Sequence, residues 1–302
     1  MGIEVVIVQE QMMAVQRMQD YIEEHIQEEI TWTDLAGVSL FSPWHSYRIF
    51  KEYTGFTPSD YIRRIKLSQS ALRLRDEKVS VTEIAFDMGF QSIEGYQRAF
   101  KREFGCNPKE YARHPVPIYL FVPYDVIYNE TRKTNIRLGE ESEVFMQIVR
   151  KPERKVLIKR SVTAIDYFSY CEEVGCEVWG LLTSMKSISG EPVCMWLPET
   201  YRDQGTSEYV QGVEVDLDYE DKVPEGFDII IPPEADYMMF QGAPFEEIDY
   251  CAAIEGVQEV MKRFEPRTRG YRWDTENPRI QLEPIGSRGY IEMMPVKPIF
   301  DK

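Results

Sequence analysis

The strongest constraint in this chain is a duplication. Asp34-Leu35-Ala36 returns as Glu83-Ile84-Ala85 at a spacing of 49, and after one extra residue, Gln91, the set Arg48-x-Phe50-Lys51, Gly55, Pro58 and Tyr61 returns at a spacing of 50 as Arg98-x-Phe100-Lys101, Gly105, Pro108 and Tyr111. A repeat held in register fixes an architecture before any residue is interpreted singly. Each copy reads as a short helix, a tight turn and a longer second helix, the layout of a helix-turn-helix. In the second copy Thr82 is placed to cap the helix 83–88, Gly89 to supply the positive φ of the turn, and Ser92 to cap the helix that stops before Gly105. Between the copies, residues 59–75 carry Ile62, Ile65, Leu72 and Leu67, Ala71, Leu74 at helical spacing, which predicts one linking helix. Ahead of them, residues 12–26 set Val15, Met18, Ile22 and Ile26 on one stripe, which predicts a packing helix.

The second helix of such a motif enters a major groove, and two motifs on one rigid helix reach successive grooves about one turn, ~34 Å, apart. The expected partner is therefore double-stranded DNA, read as a bipartite site. On the first recognition helix Ile49, Phe50 and Tyr53 face the core, leaving Trp44, Tyr47 and Arg48 outward; on the second, Tyr96, Ala99 and Phe100 face in, leaving Glu94, Gln97 and Arg98 as a stripe. Those six are the candidate base readers. Arg63, Arg64, Lys66 and Lys101 are candidate phosphate contacts, which position a protein on DNA without specifying sequence. Core packing for Trp44 and ordinary surface charge for each arginine are the competing assignments, and the pattern rather than any one residue decides between them.

Net charge over the 302 residues is −16, an argument against nucleic acid only if the charge is evenly spread. It is not. Residues 31–115 hold 13 basic and 10 acidic side chains, whereas residues 116–302 hold 21 and 34. A mildly basic segment is joined to a strongly acidic one, so modest non-specific DNA affinity and a shallow salt slope are expected. The length predicts two domains, and 43% apolar residues without a low-complexity tract exclude a disordered or fibrous chain. The longest apolar stretch, 117–128, holds Asp125 and is too short to span a bilayer. The first ten residues lack the basic flank and cleavage site of a signal peptide, which makes the cytoplasm the expected compartment and a membrane no expected partner. Five cysteines without Cys-x-x-Cys spacing and three scattered histidines signal neither a disulfide framework nor a metal site, and no cofactor motif is present.

Over residues 12–113 the sequence resembles the DNA-binding domain of AraC/XylS transcription regulators. The resemblance is carried by Tyr21-Ile-Glu-Glu-His25, Leu35-Ala36, Ser42-Pro43-Trp44-His45, Arg48-Ile49-Phe50-Lys51, Gly55-Phe-Thr-Pro58, Tyr61-Ile-Arg-Arg64, Ile84-Ala85, Gly89-Phe90, Arg98-Ala99-Phe100-Lys101 and Gly105-x-x-Pro108. It implies base contacts at Trp44, Arg48, Gln97 and Arg98, a promoter-binding regulator that works with RNA polymerase as a monomer or homodimer, and activation as the commoner mode. Two positions depart from the pattern: Leu40 stands where the first turn has Gly, and Ser46 where the first recognition helix buries a larger apolar side chain.

Pro115, Pro117 and Pro123, followed by a polar stretch at 129–137, mark a boundary. The expected domains are 1–115, a linker 116–142, and 143–302. The expected fold class is an all-α N-terminal domain with two helix-turn-helix motifs joined by a linking helix, then an α+β C-terminal domain. In the latter, β-rich runs at 145–149, 156–159 and 228–231 alternate with helical windows at 164–182 and 245–264. A second duplication, Pro152-Glu153 to Pro233-Glu234 and Ile165-Asp166-Tyr167 to Ile248-Asp249-Tyr250, at spacings of 81 and 83, predicts two strand-helix-strand halves with a cleft at their junction.

This half resembles the GyrI-like effector domain of Rob- and BmrR-type regulators through Gly212-Val-Glu-Val215, Ile231-Pro-Pro-Glu-Ala-Asp-Tyr237, Phe240-Gln-Gly242 and Met294-Pro295-Val296. The resemblance implies multidrug binding of small effectors, often lipophilic cations, in an aromatic pocket around a central Glu. Here Gln281 stands at that position, and Glu283 shares its face if 279–283 is a strand. The candidate effector-binding residues are Tyr167, Tyr170, Trp179, Trp196, Tyr271 and Trp273, with Gln281 and Glu283 as the polar centre. Competing readings make this half a hydrolase or a module for a basic protein partner. No Ser-His-Asp order, nucleophile elbow or Walker loop supports an enzyme, and none is expected. Cys171 and Cys176 read as small buried apolar side chains, since no basic neighbour in sequence lowers a thiol pKa.

Overall fold

Helix starts in the first part of the chain are written by short polar residues. Thr31, Thr57, Ser80, Ser92 and Asn107 each place a side-chain oxygen on a free N–H of the helix that follows. The resulting helices are α1 (Gly2–Glu24), α2 (Trp32–Ser39), α3 (Pro43–Thr54), α4 (Pro58–Asp76), α5 (Val81–Asp87), α6 (Ile93–Phe104) and α7 (Pro108–Arg113). The cap of α5 is Ser80, not Thr82, so that helix starts two residues earlier than its spacing suggested. The computed structural model describes residues 2–123, 126, 143–246 and 249–299, and the chain divides into two compact units, Met1–Thr134 and Asn135–Lys302.

In the helical unit α4 is the spine. Its first half, through Tyr61 and Ile65, joins a core built from Val15, Met18 and Ile22 of α1, Leu35 of α2, and Ile49 and Phe50 of α3. Its second half, through Leu67, Ala71 and Leu74, joins a core with Ile84, Ala85, Tyr96, Phe100 and Tyr111. Each motif thus has its own core on a shared helix.

The segment after α7 corrects the expected linker. Ile118 and Leu120 are buried in the second core, and Phe121 packs edge-on against Phe56 and Tyr61 while its N–H donates to the Ser68 hydroxyl at 2.8 Å. Three prolines mark an extended strap laid over α4 here, because prolines end helices without preventing apolar side chains between them from docking. The polar stretch 129–137 lies outside the described residues.

The second unit is one antiparallel sheet with helices on one side. Its strands are β1 (Val144–Lys151), β2 (Lys155–Arg160), β3 (Val193–Trp196), β4 (Tyr209–Val215), β5 (Asp228–Ile230), β6 (Ala235–Gly242), β7 (Tyr271–Trp273), β8 (Arg279–Gln281) and β9 (Ile291–Pro298). Among the described residues their order is β1-β6-β9-β8-β3-β4-β2-β5, with β7 also on β9. The first helical window is split into α8 (Tyr167–Glu173) and α9 (Glu177–Ser184) because Gly175 sits between them at φ +112°. The second window is α10 (Tyr250–Arg263), shorter than 245–264.

One face of the sheet buries Val156, Ile158, Val193, Met195, Val210, Tyr237, Met239, Ile280 and Met293, together with Ile230 from one edge strand and Val149 from the other. Contributions from both edges mean that the sheet curls with this face inside. The curl is tied by Glu214 of β4, whose carboxylate meets Arg154 Nε and Lys151 Nζ at 2.5 Å each. Burial alone would raise the Glu214 pKa, but the two cations hold it below the ordinary carboxylate range. No helix of the described residues is long and apolar enough to cross a membrane.

Candidate nucleic-acid interface

In α3, Ile49 and Phe50 are fully buried, which turns the opposite face out: Trp44 is 75% exposed, and Tyr47 and Arg48 are exposed beside it. In α6, Tyr96 and Phe100 are fully buried, leaving Glu94 and Arg98 exposed and Gln97 half-buried. The six side chains occupy equivalent positions of two equivalent helices, 50 residues apart. Arg48 is only loosely held, with Glu52 at 3.5 Å and His45 at 3.4 Å, so its guanidinium is available for a base edge or phosphate.

The two turns are stabilised differently. Gly89 takes the left-handed conformation at φ +76°, and Leu40 takes it at φ +63° with its side chain 80% exposed. For a residue with a Cβ this conformation costs about 1–2 kcal/mol. Arg17 of α1 offsets that strain: its Nε and Nη2 donate to the carbonyls of Val38 and Ser39, both at 2.9 Å, at the end of α2. Ser46, fully buried where its repeat partner is Tyr96, meets the Ser39 hydroxyl at 2.6 Å and donates to the Ser42 carbonyl at 2.9 Å. The small residue at 46 therefore completes a polar joint between α2 and α3.

The four phosphate candidates separate. Lys101 is exposed on α6. Arg63 and Arg64 both bond Glu103 of α6, at 3.1 and 2.8 Å, and Arg64 also lies over the Phe56 and Phe121 rings at 4.9 and 5.2 Å. Lys66 donates to the Glu28 carbonyl at 3.1 Å, and burial lowers its pKa. These three differ from Lys101 in having partners within the unit: Arg63 and Arg64 tie α4 to α6, and Lys66 ties it to the turn that follows α1. Lys51, the repeat partner of Lys101, is exposed on α3 and was not among the candidates; the repeat itself was the signal for it.

In the sheet unit most of the effector candidates converge. Trp179 stands edge-on to Tyr167 at 6.0 Å; Tyr170 and Trp196 stand edge-on to Tyr209 at 5.7 and 5.0 Å; Gln281 is buried on β8. Glu283 lies just past β8, and burial and the nearby Glu191 raise its carboxyl above the usual range. Tyr271 and Trp273 are elsewhere. Trp273 pairs with Val296, four residues and about 13 Å along β9 from Glu292, and packs on Phe264 at the far end of α10. Tyr271 lines a small cavity there of about 230 Å³ with Met146, Met238 and Phe264. Residues absent from the candidates are at the centre instead: Tyr209, Gln211, Tyr250, Arg279 and Glu292.

A family model described as a helix-turn-helix domain matches residues 35–114, which takes in both turns and both recognition helices. The regulatory protein SoxS of Salmonella typhimurium is 34% identical over 100 residues, 33% of this chain and 92% of SoxS. The chain belongs to the AraC family of helix-turn-helix regulators. The transcriptional activator RhaS of an Enterobacter species is 36% identical over 90 residues, 30% of this chain but only 32% of RhaS, so this AraC-family chain spans about a third of that relative. The solved structure of SAV2435 bound to tetraphenylphosphonium aligns with 51% of this chain and 94% of its own at 15% identity and a TM-score of 0.36, too loose a likeness to carry an argument. The matched helix-turn-helix segment begins at Leu35, so Arg17, which clamps the first turn of this AraC-family chain, lies ahead of it.

Proposed function

We propose that this protein is a DNA-binding transcription regulator in which α3 and α6 read the two halves of a bipartite promoter site. The carrying observation is the pair of outward stripes, Trp44, Tyr47, Arg48 and Glu94, Gln97, Arg98, at equivalent positions of two helices fixed to one spine. Base reading is assigned to those six. Phosphate contact is assigned to Lys101 and its partner Lys51, and RNA polymerase is the machinery acted on. The C-terminal unit is proposed to be a GyrI-like effector-binding domain. Its support is the strand order: β6-β9-β8 and β2-β4-β3 are the same arrangement read from opposite edges, and each half adds an outer strand that precedes the other half in sequence. The two halves meet at β8 and β3, beneath the converging aromatic side chains.

Selection of randomised duplex DNA by the full chain tests the first part. Two enriched boxes one helical turn apart are expected, with Arg98→Ala relaxing one box and Arg48→Ala the other, each weakening binding by about 1–3 kcal/mol. Enrichment of a single box, or none, would sink the bipartite reading.

A further inference from the structure

Four in-register residues cross the middle of the sheet on its helix-covered side: Gln211 of β4, Cys194 of β3, Gln281 of β8 and Glu292 of β9. Paired residues on neighbouring strands project to one side. Tyr209, two residues before Gln211 on β4 and so on the same face, identifies that side, since Tyr170 of α8 and Trp196 of β3 stand edge-on to its ring at 5.7 and 5.0 Å.

The charges along this row are already committed. Glu292 is fully buried, with one oxygen on the Arg279 guanidinium and the other accepting from the Tyr290 hydroxyl at 2.5 Å. Arg279 in turn lies over the Trp196 ring at 4.0 Å, so cation and carboxylate form a closed pair. Glu283, at the edge, lies just past β8, where its own N–H donates to the Glu191 carboxylate at 3.1 Å. What is left open is an amide. Gln211 is fully buried, and neither its side-chain nitrogen nor its oxygen has a hydrogen-bond partner among the described residues. A buried amide without partners destabilises a fold, and an apolar side chain of similar shape would serve the core better. Set beside Tyr209, Tyr170 and Trp196, this amide is the one place in the row where an incoming group would find both a donor and an acceptor.

Resting on the effector-binding reading of this unit, we propose that the site takes an uncharged planar ligand that both donates and accepts hydrogen bonds, a carboxamide, lactam or urea on an aromatic body. The Gln211 amide pairs with it in both directions, and Trp179, Trp196, Tyr170 and Tyr250 supply the walls. A lipophilic cation is disfavoured on the floor of this site because the row's only carboxylate is neutralised by Arg279.

The test uses the full chain and two matched probes, 2-naphthamide and 2-naphthylmethylammonium, with binding followed by ligand-observed NMR and melting by calorimetry. The amide is expected to bind at least roughly tenfold tighter than the ammonium, and Gln211→Leu to remove that preference while raising the melting temperature of the ligand-free protein. Tighter binding of the ammonium, lost in Glu283→Gln but kept in Gln211→Leu, would overturn the ligand class and leave the effector domain standing. A lower melting temperature for ligand-free Gln211→Leu would make Gln211 a structural residue and overturn the proposal. Binding of neither probe at millimolar concentration would overturn both readings.

Discussion

The two helix-turn-helix motifs share a backbone plan and are held together by different physics. In the second, the turn is a glycine, and the recognition helix is anchored by Tyr96, whose ring packs between Phe90 and Phe100 and whose hydroxyl donates to Ser70 at 3.0 Å. In the first, the turn is a strained leucine, the anchor position is Ser46, and the joint is polar: Ser39 with Ser46, and Arg17 on the last carbonyls of α2. The second motif is stabilised mainly by buried apolar area within itself and α4. The first depends on a side chain from α1. A duplicated module can thus lose its aromatic anchor and its glycine if a neighbouring helix supplies hydrogen bonds to the carbonyls that the turn leaves open.

The largest effect expected from this contrast is at the anchor. Tyr96→Ala removes a fully buried ring and should destabilise the second motif by about 3–5 kcal/mol. Ser46→Ala removes a hydroxyl from a polar joint and should cost about 1 kcal/mol in the first. Hydrogen exchange on the full chain separates them: Tyr96→Ala should release amides of α5 and α6 while those of α2 and α3 stay protected. Equal release from both motifs would mean that they share one cooperative core through α4.

Next comes the clamp. Arg17→Met keeps the stem of the side chain and removes both hydrogen bonds to Val38 and Ser39, with an expected loss of about 2 kcal/mol confined to the first motif. If denaturant unfolding and exchange in α2 are unchanged, the strain at Leu40 is borne locally and the clamp is incidental.

The helices and most of their ends were legible in the sequence because their determinants are local: Ser92 and Gly105 act within one turn of where they stand, whereas at α5 two nearby hydroxyls competed and Ser80, not Thr82, is the cap. Arg17 was not legible. Its partners are backbone carbonyls 21 and 22 residues away, which leave no side-chain signature. The Glu103 partner of Arg63 and Arg64 was not legible for a related reason, since a basic pair on an amphipathic helix looks the same in sequence whether or not a carboxylate of another helix meets it. The sheet unit was legible as strands and helices, less so as a site. Tyr271 and Trp273 resemble pocket aromatics in composition, and only the pairing of β7 with the far end of β9 removes them. Glu292 was not singled out in the sequence, because nothing local announces that Arg279 and Tyr290 will enclose it.

A smaller effect follows from exchanging the turns. Leu40→Gly relieves the left-handed strain at a position with no lost core contact and should stabilise the first motif by about 0.5–1 kcal/mol. In an Arg17→Met background the gain should be larger, since strain and clamp are coupled. Gly89→Ala should do the reverse in the second motif, by about 1 kcal/mol, with its Cβ 3.2 Å from Lys66 Nζ. Calorimetry of Leu40→Gly, Arg17→Met, their double variant and Gly89→Ala against the unsubstituted chain measures both signs. If Leu40→Gly is neutral in both backgrounds, the conformation at 40 is unstrained.

The smallest effect distinguishes the two helix starts by pH. Asp34 accepts from the Thr31 N–H and hydroxyl at 2.8 and 2.6 Å, and these bonds hold its carboxyl below the ordinary Asp value; α5 starts on Ser80 accepting from Glu83 N–H. A carboxyl with a depressed folded pKa lends stability above its unfolded value, near 4, and that contribution is lost as pH falls through the folded value. Amides at the start of α2 should therefore begin to lose protection as the pH drops below about 4, and Asp34→Asn should abolish that dependence. Because Asp34 is solvent-exposed, the change should be confined to the first turn of α2 and leave the turn at Leu40 intact. A pH response of α2 that survives Asp34→Asn would assign the sensitivity to another carboxylate and remove the capping box from the list of differences between the motifs.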